Sequence, residues 1–448
     1  MSSGTLRPKW ATPTRLVVLS FALVIMIGTI LLMLPVSSKS GASPRLIDAF
    51  FTAASAVCVT GLAVVNTAEF WSTFGQAVIL ALIQIGGLGL MIFATMHALV
   101  TGRRIGLRER MLLQEQTGQS RLSGLVSLSK RIIVATLVFE LAGAVILGTV
   151  IGRTRNLSFA ESFFQGVFHS VSAFCNAGFD ILGDNLMGFQ SNATVILTVS
   201  LLIIFGGIGF HVLVDLYVNR GKWASLTLHS RLALRMSIIL LVVGTVAFLA
   251  LEWNNPGTLG PQGLKGKVLS AWFQSVTPRT AGFNSILEEN LWAPAAFLTI
   301  ILMFIGASPG GTGGGVKTTT FSVVARMVRV SVEDGHDVTL EKRRLPPDVV
   351  SKAVAILLLG LSLVVTSTMI VSGIEQKPFL DILFEVTSAF GTVGLSRGLT
   401  PTLSEASKLV LICTMFTGRV GPLSLAIALS RQRGNGGVRY PEERVTVG

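Results

Sequence analysis

The segment Phe51–Leu62, FTAASAVCVTGL, recurs three more times with its spacing nearly intact: FHSVSAFCNAGF from Phe168, FQSVTPRTAGF from Phe273 and FEVTSAFGTVGL from Phe384. Each copy opens on Phe, carries Ser or Thr four residues later, and closes on Gly followed by Leu or Phe. The closing glycines are Gly61, Gly178, Gly282 and Gly394, and the third copy is one residue shorter than the others. Such a segment is amphipathic and too short to cross a hydrocarbon layer about 30 Å thick, which takes about 20 helical residues. A unit recurring at roughly 110 residues is one supersecondary element used four times, and four copies around an axis enclose a shared passage.

Longer apolar stretches flank every copy: Leu16 to Leu34, Phe74 to Val100, Ile132 to Ile151, Thr194 to Val218, Leu232 to Leu251, an interrupted stretch from Pro294 to Ile305, Val349 to Val371, and Leu409 to Leu429. Half of the 448 residues are hydrophobic and 13% are charged, more apolar surface than one soluble core can hide, so lipid is the solvent. The pattern predicts an all-α membrane protein of four pseudo-symmetric helix, pore loop, helix units around one central pore. The expected boundaries are 1–128, 129–229, 230–348 and 349–429, with a tail at 430–448. The first apolar stretch follows a basic segment as a signal peptide would, but it is long and lacks a small-residue cleavage site, which marks it as a retained span.

A net charge of +13 would suggest nucleic acid in a soluble chain, but here the cations lie between spans. Arg7, Lys9 and Arg15, then Arg103 to Arg131, Arg220 to Arg235, Arg326 to Lys352 and Arg431 to Arg444 fall on one side, while the other side carries fewer than half as many. The positive-inside rule then places both termini in the cytoplasm of a plasma-membrane protein, with anionic lipid as the partner of the charge and no nucleic acid. Cys58, Cys175 and Cys413 are too scattered for a metal site or a disulfide framework and read as small packing residues.

Non-helical backbone survives at membrane depth only where protein buries it or it lines a watery cavity. Glycine lets such a turn aim its carbonyls inward, and rings of carbonyls replace the hydration shell of a potassium ion. The C-terminal end of each short helix adds attraction for a cation. Asp48, Glu161 and Asp381, near the starts of three of these helices, read as helix-end stabilisers. The residues before the glycines, Val59 and Thr60, Asn176 and Ala177, Thr280 and Ala281, and Thr392 and Val393, carry no charge. That argues against pores built on acidic or basic side-chain rings. The filter is therefore read as these residues with Gly61, Gly178, Gly282 and Gly394, with potassium held by the carbonyls of Thr60, Asn176, Thr280 and Thr392. Arg279, the nearby charge, is expected to point away from the axis.

FIGASPGGTGGGVKTTT, Phe304 to Thr320, interrupts the last helix of the third unit, because its proline and six glycines cannot continue a helix. It predicts a flexible intramembrane loop at 306–317, rich in free backbone groups and placed to obstruct the passage, with Gly310, Gly311, Thr312, Gly313, Gly314, Gly315 and Lys317 as the gate. The tract approaches the phosphate-loop pattern, but Val316 separates Gly315 from Lys317 and no strand precedes it. In the other units the matching helices carry GGLG at 86–89, GGIG at 206–209 and GRVG at 418–421, readable as close helix packing or as pore lining. Arg419 lies inside an apolar run, where a cation costs about 2.5–3.5 kcal/mol and is functional by default. It is expected to hold the loop's carbonyls and keep the gate closed. His97, Glu140, His169, His211, Asp215 and Glu385 form no relay or metal spacing, and no arrangement of catalytic side chains marks an enzyme.

The four turns TGL, NAGF, TAGF and TVGL, together with GASPGGTGGGVKTTT and GRVGPL, resemble the Trk/Ktr/HKT superfamily of potassium transporters over Leu16 to Leu429. The glycine in all four turns and the absence of an extra helix pair at the start are most similar to the bacterial Ktr-type membrane subunit. The resemblance implies potassium uptake without a covalent cofactor, sodium as an activator, a homodimer with one pore per protomer, and a cytosolic ring of RCK-type nucleotide-binding regulatory subunits. It also points to Arg103 to Arg131, Arg326 to Arg344 and the tail as docking segments. The competing reading, a secondary transporter coupled to sodium or protons, needs inverted repeats, whereas these four run in one direction.

Overall fold

The computed structural model describes residues 13–89, 125–333 and 337–429, which are mostly helical with almost no strand. The first unit comprises α1 (Pro13–Leu32), α2 (Leu46–Cys58), the single turn α3 (Thr67–Phe70) and α4 (Thr73–Leu88). The second comprises α5 (Leu125–Arg155), α6 (Phe159–Phe174), α7 (Ala193–Gly207) and α8 (Phe210–Val218). The third has α9 (Leu228–Glu252), α10 (Leu264–Val276), α11 (Ala293–Phe304) and α12 (Thr318–Val332), followed by a two-stranded hairpin of β1 (Thr339–Leu340) and β2 (Arg343–Arg344). The fourth has α13 (Pro347–Ile374), α14 (Phe379–Gly391), α15 (Glu405–Val420) and α16 (Pro422–Leu429). His97, the Arg103 to Arg131 segment up to residue 124, the first twelve residues and the tail lie outside the described residues.

Among the described residues, four helices are long and apolar enough to cross a membrane, over Arg15–Leu32, Ser129–Arg155, Leu228–Glu252 and Pro347–Ile374. Each opens one unit. Their outer faces carry Leu23 and Ile30 on α1, Val138, Leu141 and Val145 on α5, Val242 and Val246 on α9, and Leu361 and Met369 on α13, all exposed. Apolar side chains at helical spacing on the outside are what lipid solvates. The opposite faces pack on the short helices, and the Phe that opens each copy, Phe51, Phe168, Phe273 and Phe384, is fully buried.

The stretches read as continuous spans at Thr194 to Val218 and Leu409 to Leu429 are each broken: α7 and α8 meet at 95°, and α15 and α16 at 96°. Gly209 (φ +98°) and Gly421 (φ +96°) make these bends, in a backbone region that L side chains rarely adopt. Gly89, with φ +80°, ends α4 in the same way.

The short helices are held at their outer ends by different means. Ser158 and Glu161 form a reciprocal capping box on α6, with the Ser158 N–H donating to Glu161 Oε2 at 3.0 Å. The Ser158 hydroxyl, donating to Glu161 Oε2 at 2.7 Å, and then the Ser158 N–H hold the Glu161 carboxyl below its usual range. Asp48 and Asp381 lie in the first turns of α2 and α14 and in addition accept from Lys408 Nζ at 2.9 Å and Arg397 Nε at 2.7 Å, which ties α2 to α15 and α14 to the loop after it. Cys58 and Cys175 are buried, but Cys413 is exposed and packs no interior.

Candidate functional site

The C-terminal ends of α2, α6, α10 and α14 converge. In three of them the chain leaves the helix through the same left-handed cap: Val59 N–H donates to Ala56 O and Thr60 N–H to Ser55 O, Asn176 N–H to Ala173 O and Ala177 N–H to Ser172 O, Thr392 N–H to Ala389 O and Val393 N–H to Ser388 O. The third unit, one residue shorter, keeps a single such bond, Ala281 N–H to Thr277 O at 3.0 Å. The deletion is absorbed inside the cap. The hydroxyl four residues after each Phe then fastens the strand beyond: Ser55 and Ser388 accept from the N–H of Gly61 and Gly394 at 3.1 Å, while Ser172 and Thr277 donate to Phe179 O and Phe283 O at 2.7 and 2.5 Å.

Val59, Asn176, Thr280 and Thr392 all have positive φ, of 58°, 58°, 75° and 50°. Three of these are β-branched, for which a left-handed backbone is an outlier costing about 1–2 kcal/mol. Strain repeated at one position in four units is held by its surroundings and marks a site. It also fixes the register. Thr60 stands level with Ala177, Ala281 and Val393, one residue beyond the level of Asn176, Thr280 and Thr392, so a carbonyl set of Thr60, Asn176, Thr280 and Thr392 mixes two levels. The residue level with the last three is Val59.

The four glycines close a ring. A Cβ built on Gly61 would strike Ala177 O, one on Gly178 would lie 2.7 Å from Ala281 O, one on Gly282 would strike Val393 O, and one on Gly394 would strike Thr60 O. Each unit thus meets the next, and the fourth meets the first, at a distance only a hydrogen side chain allows. On one side of the ring lies a cavity of about 400 Å³ that the four glycines share with Asp180, Asn284, Glu289 and Ser396. Arg279 turns from the axis and donates to Ser237 O and Oγ on α9 at 3.2 and 3.1 Å.

On the other side the tract after α11 forms a closed loop. Gly306 N–H donates to Val316 O at 2.9 Å and Val316 N–H to Phe304 O at 3.2 Å, which pins its two ends together. The expectation of loose, unpaired backbone does not hold: Ser308 and Thr312 N–H donate to Gly207 O and Gly206 O at 2.9 and 3.1 Å, and Gly310 O accepts from Phe210 N–H at 3.0 Å. Gly311 lies against the Gly207 carbonyl, Gly313 against the Thr280 hydroxyl, and Gly315 against Gly391. Gly314 N–H donates to Thr392 Oγ1 at 2.9 Å. A buried backbone cannot leave its donors unmet, and the broken α7–α8 segment supplies the partners.

Arg419 bridges this loop to the first unit, donating to Thr312 O, to Gly86 O and, at 3.3 Å, to Gly87 O. Its partners are carbonyls, not carboxylates. Lys317 Nζ donates to Gly313 O at 2.5 Å and to Gly314 O at 3.4 Å. Three consecutive loop carbonyls are therefore held by, or beside, protein cations. The helix glycines pack: a Cβ on Gly86, Gly206 or Gly418 would strike the backbone of Val57, Phe174 or Phe390 at the ends of the short helices. Of the two readings of those motifs, the geometry shows close packing there. The Asn176 amide, with its nitrogen assigned toward Ala173 O and Ile203 O at 3.1 Å, accepts from Thr280 Oγ1 at 3.0 Å and joins the second unit to the third.

Four helix, short helix, helix units around a common ring, in a chain with lipid-facing helices, define a polytopic membrane transport protein. The chain belongs to the TrkH family of cation transport proteins, whose family model matches residues 3–435. It is 41% identical to Ktr system potassium uptake protein B of Bacillus subtilis (strain 168) and 39% identical to the potassium/sodium uptake protein NtpJ of Enterococcus hirae, over 98% of each chain in both cases. The crystal structure of the potassium transporter TrkH from Vibrio parahaemolyticus has the same fold, with a TM-score of 0.73 over 95% of this chain and 86% of that one at 19% identity.

Proposed function

We propose that this chain is the pore-forming subunit of a potassium uptake system of the plasma membrane, conducting along the axis through the four-glycine ring with no chemical step. The observation that carries the reading is the ring itself, with a positive φ two residues before each of its four glycines; on this reading the carbonyls of Val59, Asn176, Thr280 and Thr392 form one level and those of Thr60, Ala177, Ala281 and Val393 the next. Two stacked sets of main-chain oxygens, with four helix C-terminal ends behind them, suit a dehydrated monovalent cation. Relatives named as potassium and potassium/sodium uptake proteins support that substrate, and sodium is the second ion to test, as passenger or activator.

The loop at 306–317 is the gate on this reading, with Arg419 as its latch to the first unit and Lys317 as its internal brace. Both termini are cytoplasmic by the charge distribution. A homodimer, and a cytosolic ring of nucleotide-binding regulatory subunits on the basic face around Arg326 to Arg344, complete the assembly. There Arg231 and Arg235 pair with Glu341 at 2.9 and 3.0 Å and Arg326 donates to Thr339 O at 3.0 Å, which hold the hairpin against α9 and α12. The test is rubidium and sodium influx into proteoliposomes, alongside growth of an uptake-deficient cell at low potassium. Rubidium influx in excess of sodium influx is expected; influx no greater than in protein-free liposomes, with no growth rescue, would overturn the proposal.

A further inference from the structure

Behind the ring, on the lipid side, a crevice of about 360 Å³ lies between α4 and α5. Its walls are apolar, with Leu80 and Leu88 on α4 and Ile133 and Leu137 on α5, and Leu137 is 49% exposed at its mouth. Its polar lining is Gln84, Thr136 and Glu140. Glu140 is 7% exposed, and its carboxyl meets an amide and a thiol, Gln84 Nε2 at 3.2 Å and Cys175 Sγ at 3.9 Å, with no cation paired to it among the described residues. Thr136 is 1% exposed and its hydroxyl has no partner. An acidic side chain at mid-span is costly in lipid, and one turn away sits a second polar group whose bonding capacity is unused.

We propose that this crevice is a binding site, entered from the bilayer, for a lipophilic amine whose ammonium pairs with Glu140 and whose apolar body fills the space between α4 and α5. The chemistry of the floor selects that class. Glu140 Oε1 and Oε2, Gln84 Oε1 and Thr136 Oγ1 are acceptors drawn together at one end, an ammonium carries three donors, and the rest of the lining offers only apolar contact. A compact positive charge against an unpaired carboxyl gains far more in a low-dielectric site than in water. The site adjoins the conduction machinery, because Cys175 precedes Asn176, and a Cβ on Gly87 would come within 2.6 Å of the Cys175 sulfur, leaving room only for hydrogen.

The experiment is equilibrium binding of radiolabelled 1-adamantylamine to the purified full chain in lipid nanodiscs, a readout that does not depend on what the protein transports. Saturable binding is expected. Competition by 1-adamantanol, which has the same cage without the charge, is expected to be weaker by about tenfold or more. Glu140→Gln should abolish that difference, and Leu137→Trp, which fills the mouth and leaves the carboxyl in place, should abolish binding. Equal competition by amine and alcohol, undiminished binding to Glu140→Gln, or undiminished binding to Leu137→Trp would each overturn the proposal. Where Glu140→Gln does not yield monodisperse protein, Leu137→Trp decides.

Discussion

Replacing Gly394 by Ala tests the ring where two units come closest. The residue has φ +97° and faces Thr60 O across the join between the fourth and first units. An L residue forced into a left-handed backbone costs about 1–2 kcal/mol. The new methyl also lies well inside contact distance, so the Thr60 carbonyl must retreat by roughly an ångström. Withdrawing one oxygen from a charged ligand removes an interaction of about 1.5–3 kcal/mol, and if that falls on potassium rather than sodium the selectivity ratio drops about 10- to 100-fold. The assay is the ratio of rubidium to sodium influx in proteoliposomes, with thermal unfolding as a control for folding. Gly178→Ala, whose methyl would meet Ala281 O at the longer distance of 2.7 Å, should lose least. A folded, conducting Gly394→Ala protein with an unchanged ratio, or a Gly178→Ala protein more impaired than Gly394→Ala, would refute the reasoning.

Arg419→Ala should raise initial influx rates by removing bonds to Thr312, Gly86 and Gly87, with Arg419→Lys between the two because one ammonium cannot fork across both elements; influx and its regulation unchanged in Arg419→Ala would remove the latch from the scheme. Arg279→Met should leave the ion ratio unaltered and should not lower the unfolding temperature, since the guanidinium is buried against Ser237 with no counter-ion among the described residues and an apolar replacement is often neutral or better. Lys408→Met leaves Asp48 buried and unpaired, which should destabilise the protein by about 3–5 kcal/mol, and adding Asp48→Leu should restore most of the loss; calorimetry of the purified variants measures both.

The fourfold organisation was legible because lipid-facing and interior faces repeat with fixed spacing around the Phe and Gly positions. The level of each carbonyl was not. Asn176 advertises a left-handed backbone, since Asn tolerates it, but Val59, Thr280 and Thr392 are poor candidates for it by local preference, and tertiary packing overrides that preference in all three. The same override explains the bends. Apolar content carries straight through Gly209 and Gly421, whereas the carbonyl ends of the short helices press against the glycines beside them. Glycine content alone suggested a slack loop at 306–317, yet its donors find partners on α7 that lie about a hundred residues earlier in the chain, a pairing that no local pattern records. Glu140 stood out only as an acid in an apolar run; its neighbours are Gln84 on α4 and Cys175 at the end of α6.

Because one polypeptide supplies all four quarters of the ring, a codon change alters one quarter and leaves three as they were. A pore assembled from identical subunits has no such freedom, since every substitution there appears around the whole circumference at once. The shortened third cap, the Asn176 to Thr280 cross-link and the arginine carried by the fourth quarter alone show how far the quarters have already diverged. Ion preference and gating in this architecture can therefore be adjusted by small, separate steps, with the closing join between Gly394 and Thr60 as the seam that every quarter must continue to fit.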